Sequence, residues 1–288
     1  MKRRILSSLM ALVLVFGLLP ATAFAEEDAA PAAAKTIYVD AMKGDDTQTD
    51  VGTTAAKAYQ SIGEAVKAAE SGDTIQLGEG NYSLYDVCGK KGTDNTEYTK
   101  NKDLTFIGAG PEKTRWGIGA TVPDPANFGT EFNSDYSFDV RGTNEKETVT
   151  FKNMTLQAAS NDYLGFSGTD HTIVEDCVIN GKTFYWGYTS AMFKNTTFNC
   201  PNKDYAIWTY CSPTMTFENC TFNSFGKVIN VYADYNAGKY DTTVNFMGCK
   251  VVNNGASLKP VLNINDYNMG EFKYILNISG NTTVTGVD

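Results

Sequence analysis

Along this chain an apolar residue recurs two positions before an Asn, Asp or Gly, and in the central copies a second apolar residue follows three positions after it. The clearest copies are Phe151-Lys152-Asn153-Met154-Thr155-Leu156, Val174-Glu175-Asp176-Cys177-Val178-Ile179 and Phe193-Lys194-Asn195-Thr196-Thr197-Phe198. Phe217-Glu218-Asn219-Cys220-Thr221-Phe222 and Phe246-Met247-Gly248-Cys249-Lys250-Val251 continue the series, and Phe106-Ile107-Gly108 and Ile278-Ser279-Gly280 begin in the same way. Asn, Asp and Gly are the residues that accept a left-handed backbone at low cost. The pattern predicts a strand, a sharp left-handed corner and a second strand, repeated once per turn of a solenoid.

The corners lie 45, 23, 19, 24, 29 and 32 residues apart. Helical repeats keep a stricter period and space their apolar residues by three and four. Here the segments are β-branched and aromatic, and loops of different length around a fixed corner explain the uneven steps. The 45-residue step holds either one large loop or a coil whose corner is not visible.

A second strand is expected before each corner: Phe138–Arg141, Leu164–Ser167, Tyr185–Tyr188, Ile207–Tyr210, Ile229–Tyr232 and Leu262–Asn265. Side chains alternate between the two faces of a strand. With Val140, Phe166, Ile207, Val231 and Ile264 inward, the outward stripe carries Asp139, Arg141, Trp186, Tyr188, Trp208, Tyr210, Asn230, Tyr232, Asn263 and Asn265. Trp186 is expected beside Trp208, and Tyr188 beside Tyr210 and Tyr232. Aromatic faces rimmed by Asn, Asp and Arg suit a sugar chain, whose C–H faces pack on rings while its hydroxyls need donors and acceptors. The alternatives are that loops cover the two tryptophans, or that a one-residue slip turns them inward.

With these corners in place, the chain resembles the right-handed parallel β-helix family related to pectate lyases. The corner asparagines resemble that family's internal ladder. The run from Thr36-Ile37-Tyr38-Val39-Asp40 through Ser61-Ile62-Gly63-Glu64-Ala65-Val66 to Gly72-Asp73-Thr74-Ile75-Gln76-Leu77 is similar to its entry segment, and Leu104–Gly110 fits too. The resemblance covers nearly all of the chain from about residue 36. It implies an all-β parallel β-helix, a fold that carries lyases, hydrolases, binding modules and adhesins.

One stretch departs from the strand pattern. Ser61 and Glu64 form a capping-box pair, Ile62, Ala65, Val66 and Ala69 share a helical face, and Gly72 is a natural stop. This short helix is expected to cover the N-terminal end of the solenoid, where open strand edges invite pairing. No comparable cover is visible after Ile278, so the domain, residues 36–288, is expected to be incomplete at its C-terminal end.

Lys2, Arg3 and Arg4 precede an apolar run from Ile5 to Leu19, and Ala23-Phe24-Ala25 supplies a small-x-small cleavage pattern. Residues 1–25 therefore read as a secretory signal peptide and residues 26–35, Ala-rich with Pro31, as a flexible lead-in. The expected location is secreted or on the cell surface. The formal net charge is -9, and loss of the three basic residues makes the mature chain more acidic. Such a surface repels nucleic acid and anionic lipid.

Cys177, Cys220 and Cys249 follow their corners by one position and read as small stacked core residues; Cys220 with Cys249 is the favoured pair if a disulfide forms. Asp45, Asp46 and Asp50 read as a polar loop, with a calcium loop as the alternative. His171, the only histidine, reads as a solvated turn residue, with a general base beside Asp170 as the alternative. No cofactor is expected.

A β-helix lyase needs a strong base and commonly a carboxylate-held calcium, and Arg141 beside Asp139 is the only such pair on the stripe. Hydrolases of this fold need converging carboxylates, yet Asp139, Asp234 and Asp266 lie on distant coils. The expectation is a β-helix that binds a polysaccharide or glycan, adhesin-like and without catalysis. The alternatives are a divergent polysaccharide lyase or glycoside hydrolase and a purely structural surface module.

Overall fold

Alternating β-branched and aromatic residues make each short segment an extended strand with one apolar side, and no such strand is stable until that side is covered. The chain covers it by coiling. A computed structural model describes residues 33–83, 102–117, 138–141, 146–157, 163–200, 205–209, 214–232, 241–265 and 273–286. The expected signal peptide and most of the lead-in lie outside these residues.

The chain enters through β1 (Thr36–Val39), helix α1 (Ile62–Ala68), β2 (Thr74–Leu77) and β3 (Gly80–Ser83). The next coil carries β4 (Leu104–Ile107), β5 (Thr114–Gly117) and β6 (Phe138–Arg141). Then come β7 (Thr148–Lys152), β8 (Thr155–Gln157), β9 (Tyr163–Glu175), β10 (Val178–Asn180) and β11 (Lys182–Lys194). They are followed by β12 (Thr197–Cys200), β13 (Tyr205–Thr209), β14 (Thr214–Glu218), β15 (Thr221–Ser224) and β16 (Lys227–Tyr232). The last are β17 (Thr242–Met247), β18 (Lys250–Asn253), β19 (Leu262–Asn265), β20 (Tyr274–Ser279) and β21 (Thr283–Thr285).

Every pairing between these strands is parallel, and they stack into three faces. The first face runs β1-β2-β4-β7-β9-β11-β14-β17-β20, and the second is the eight-stranded sheet from β3 to β21. The third runs β6-β9-β11-β13-β16-β19. Strands β9 and β11, of 13 residues each, bend through both the third and the first face. The protein is a parallel β-helix, all-β but for α1 and a short 3-10 turn at Ala55–Lys57 among the described residues. Because β4 pairs directly with β7, the long step from Gly108 to Asn153 is a single coil.

The corners are as the sequence predicts, with one exception. Asn153, Asp176, Asn195 and Asn219 have φ of 60°, 53°, 48° and 52°, and Gly248 and Gly280 have 65° and 64°. Gly108 is not left-handed. Glycine is needed there for close approach, since a Cβ would lie 2.4 Å from the Asn153 carbonyl oxygen. The corner side chains also tie successive coils: Asn153 Nδ2 donates to the Gly108 carbonyl at 3.2 Å, and Asn195 Nδ2 to Asp176 Oδ1 at 2.9 Å.

Other outward columns repeat the device. On the second face Asn180 donates to Gln157 (3.1 Å), Asn199 to Asn180 (3.0 Å) and Asn223 to Asn199 (2.8 Å). On the first face Asn245 donates to Thr216 and Asn277 to Asn245. Beside the corners Lys152, Glu175, Lys194 and Glu218 stand in register. They pair as Lys152–Glu175 at 2.6 Å and Lys194–Glu218 at 3.4 Å. Stacking identical positions would crowd like charges, and the alternation of sign removes that penalty.

Inward positions form aromatic columns. Phe193, Phe217 and Phe246 stack with centroids 5.0 and 5.1 Å apart, and Phe198 lies on Phe222 at 4.5 Å. At four of the corners the next residue, Cys177, Thr196, Cys220 or Cys249, is buried and caps carbonyls. Cys220 Sγ donates to the Phe193 carbonyl at 3.3 Å and Cys249 Sγ to that of Phe217 at 3.2 Å. Thr196 occupies the equivalent place and its hydroxyl donates to the Lys194 carbonyl at 2.9 Å. Cys177, Cys220 and Cys249 are free, buried thiols, and Cys200 is buried too. Burial pushes the Cys177 thiol up to about 12. The hydrogen bond with Cys249, and then burial, push Cys220 up as well.

Ser61 caps α1, its hydroxyl accepting from the Glu64 amide at 3.3 Å. The other half of the capping box does not form: the Ser61 amide donates to Asp46 Oδ1 at 3.3 Å, and the Glu64 carboxylate pairs with Lys67. Ile62, Ala65, Val66 and Ala69 are buried in the same core as Ile37 and Ile75, so α1 packs on the first coils as expected. Residues 34–288 form one compact unit.

Two predictions follow from the corners and their thiols. Asn195→Gly keeps the left-handed corner but loses the bond to Asp176, and should lower stability by about 1 kcal/mol. Asn195→Ala adds the left-handed penalty of about 1–2 kcal/mol; urea unfolding of both variants checks the order. The second concerns alkali. Cys177 has a folded pKa above the ordinary thiol value of about 8.5, so its protonated form favours folding below that value. That stability declines as pH rises towards about 12, and Cys177→Thr should flatten the alkaline loss in pH-dependent urea titrations.

Candidate functional site

The strands of the stripe predicted from sequence lie on the third face, and of the residues expected inward Ile207 and Val231 are fully buried while Ile264 is half-buried; the side chains of Val140 and Phe166 lie outside the described ones. Its register differs from expectation. Strand β11 aligns Thr183 with Ile207, Phe184 with Trp208 and Tyr185 with Thr209. Trp186 is therefore opposite Ser167 on one side and is not the neighbour of Trp208. The shift is two residues, which preserves the inward and outward sets but moves each aromatic one step along the stripe.

Two rows result. One runs Asp139, Gly165, Phe184, Trp208, Asn230, Asn263, and the other contains Arg141, Ser167 and Trp186, with Tyr232 opposite Asn265 further on. Asp139 and Arg141 are thus placed at the same end of the face by their backbone register. Tyr210 lies outside the described residues. Tyr188 falls in an irregular part of β11: the register with β9 passes from Gly187–Thr169 to Ser190–His171, so Tyr188 and Thr189 face the single residue Asp170. Tyr188 therefore leaves the regular column in which it was expected beside Tyr232.

A further correction concerns access. Asn230, expected at the surface, is fully buried, while Trp208, Asn263 and Asn265 are half-buried. Asn263 Nδ2 donates both to Asn230 Oδ1 at 2.6 Å and to Asn265 Oδ1 at 2.9 Å. Among the described residues Asn230 Nδ2 has no hydrogen-bond acceptor. A buried amide donor without a partner costs about 1–3 kcal/mol, so its position calls for an explanation. The stripe is a polar seam with one end in the interior rather than a flat, open platform.

The second feature lies at the bend between the third and first faces. His171, expected in a turn, is inside β9. Its Nδ1 is 2.7 Å from Ser190 Oγ on the neighbouring coil, and its Nε2 is 3.4 Å from Asp170 Oδ2. The imidazole is 41% exposed and the Asp170 carboxylate 21%. On either side Thr148 and Thr214 occupy the same outward column. The amides of Asp170 and His171 both donate to the Glu147 carbonyl, which fixes the strand at the bend. Below it Tyr185 is fully buried, and burial followed by the Asp170 charge pushes its phenol up. Ser190 was not singled out from sequence. Its nearness to His171 depends on counting residues through the β11 bulge, which no local motif marks.

The Asp45, Asp46 and Asp50 cluster is divided among separate turns. Asp46 accepts from the Gln60 amide at 2.7 Å, Asp45 from the Thr47 hydroxyl and amide, and Asp50 faces Lys57. The bonds from Thr47 hold the Asp45 carboxyl below its ordinary range. Asp45 thus caps its own turn, Asp46 ties the loop to the start of α1 and Asp50 pairs with a lysine, and among the described residues no group of three potential ligands converges. Neither a protein-family model nor a curated protein matches this sequence.

The seam can be tested for its structural role first. Asn263→Ala removes the donor to Asn230 and leaves a second buried polar atom unpaired, so it should destabilise the protein by about 1–3 kcal/mol in chemical unfolding. Asn265→Ala removes only a half-exposed acceptor and should have a smaller effect.

Proposed function

We propose that this chain is the β-helix of an exported protein of the pectate-lyase-like class, and that its third face binds a neutral carbohydrate. The observation that supports this reading is the in-register row Trp208, Asn230, Asn263, with Asn265 attached to its end. An indole beside linked carboxamides offers an apolar surface for sugar C–H groups and both donors and acceptors for hydroxyls. The stretch Trp208, Asn230, Asn263 carries no formal charge and Asp139 at the other end of the row is acidic, which favours a neutral sugar over a uronate in a protein whose net charge is -9. The unpartnered Asn230 amide is a donor that a ligand hydroxyl reaching the seam could satisfy. Export rests on the basic, apolar and small-residue pattern of the first 25 residues.

A glycan array with the mature chain tests the proposal, alongside Trp208→Ala and Trp186→Ala. The expected result is selective binding to a neutral glycan that weakens about tenfold, ~1.4 kcal/mol, in the Trp208 variant with its unfolding curve unchanged. Equal signals from the wild type and both variants would exclude the third face as the binding surface.

A further inference from the structure

The bend at His171 has a chemistry that the carbohydrate reading does not use. A neutral imidazole can accept a proton through only one nitrogen, and the bond made by the other decides which. Here Nε2 faces the Asp170 carboxylate at 3.4 Å and Nδ1 faces Ser190 Oγ at 2.7 Å. The carboxylate favours the tautomer that carries its proton on Nε2. That tautomer presents the Nδ1 lone pair to the Ser190 hydroxyl, the arrangement that makes a serine nucleophilic. Nucleophile, base and orienting acid are recognised by geometry and role rather than by their order in a chain.

Two further observations bear on the same spot. The group is reachable, since the His171 ring is 41% exposed and Ser190 is half-buried. The bulge directly ahead of Ser190 leaves Tyr188 and Thr189 without individual partners in β9. A bulge interrupts a ladder and recurs next to active sites. Three elements of an acyl-transfer site therefore meet where two faces of the solenoid join.

We propose that Ser190, His171 and Asp170 form an acyl-transfer centre that hydrolyses carboxylic esters. Ser190 Oγ attacks the ester carbonyl while its proton passes to His171 Nδ1. The Oγ–C bond forms, the bond from the carbonyl carbon to the alcohol oxygen breaks, and the departing alkoxide takes the proton back from Nδ1. Water then attacks the acyl-serine with His171 again accepting a proton. The carboxylic acid leaves and Ser190 recovers its hydrogen. Asp170 is a positioning residue whose carboxylate lies against Nε2.

The test uses the intact protein with p-nitrophenyl acetate as substrate and a fluorophosphonate as the serine-directed probe. The expected results are ester turnover that falls about a hundredfold in Ser190→Ala and in His171→Ala, and a phosphonate adduct on the peptide that contains Ser190. Adduct formation should vanish in His171→Ala and in urea-unfolded protein. Asp170→Asn should lower kcat while leaving KM unchanged, which a purely structural bond would not do. Turnover no faster than that of Ser190→Ala, or an adduct confined to other serines, would overturn the assignment. Circular dichroism of each variant guards against loss of fold. A small ester needs no sugar contact, so the glycan array can fail without affecting this outcome.

Discussion

The structure depends on the backbone corner that follows each strand of the first face. A residue held at φ near 50–65° turns the chain within one position, and the six coils from Asn153 to Gly280 do this at the same point, which keeps their parallel strands in register. Asn195 illustrates the constraint: its φ is 48° and its amide reaches Asp176 on the coil before. Left-handed backbone costs about 1–2 kcal/mol for most residues, and a hydrogen bond from the corner side chain offsets part of it. Glycine meets the same need at Gly248 and Gly280 by having no Cβ.

Stacking coils in register has a second consequence. Each outward position meets its own kind above and below, about 4.8 Å away. Carboxamides suit this because each is both donor and acceptor, which is why Gln157, Asn180, Asn199 and Asn223 can link in series. Charges suit it only when they alternate, as Lys152, Glu175, Lys194 and Glu218 do. Inside, phenylalanines fill the same repeat by stacking, and buried thiols or a threonine hydroxyl cap the carbonyls that the corner frees. Regularity of this kind stabilises the solenoid coil by coil.

New combinations of polar side chains arise where that regularity fails. Strands β9 and β11 continue around a bend instead of ending, and the unequal residue counts between Gly187 and Ser190 and between Thr169 and His171 bring an imidazole against a hydroxyl from the next coil. The third face departs in another way, by carrying polar Asn230 into full burial beside the indole row. Both departures set polar groups among otherwise repetitive pairs, and each is the basis of a distinct chemical reading.

The parallel β-helix, the corner positions and the inward sets were legible in the sequence because they depend on local preference: left-handed tolerance at one residue and alternation along a strand. The sheet to which the strands of Trp186 and Trp208 belong was legible for the same reason, since a two-residue error in register leaves the strands in place. Their relative register was not, nor was the meeting of His171 with Ser190, because both depend on the number of residues taken up in turns, at a bulge and at a bend. The burial of Asn230 was equally hidden, as it depends on what lies over the strand rather than on the strand itself. Local backbone and pattern energies thus determined the coil, while the alignment of one coil on the next, set by packing between residues distant in the chain, decided which side chains could act together.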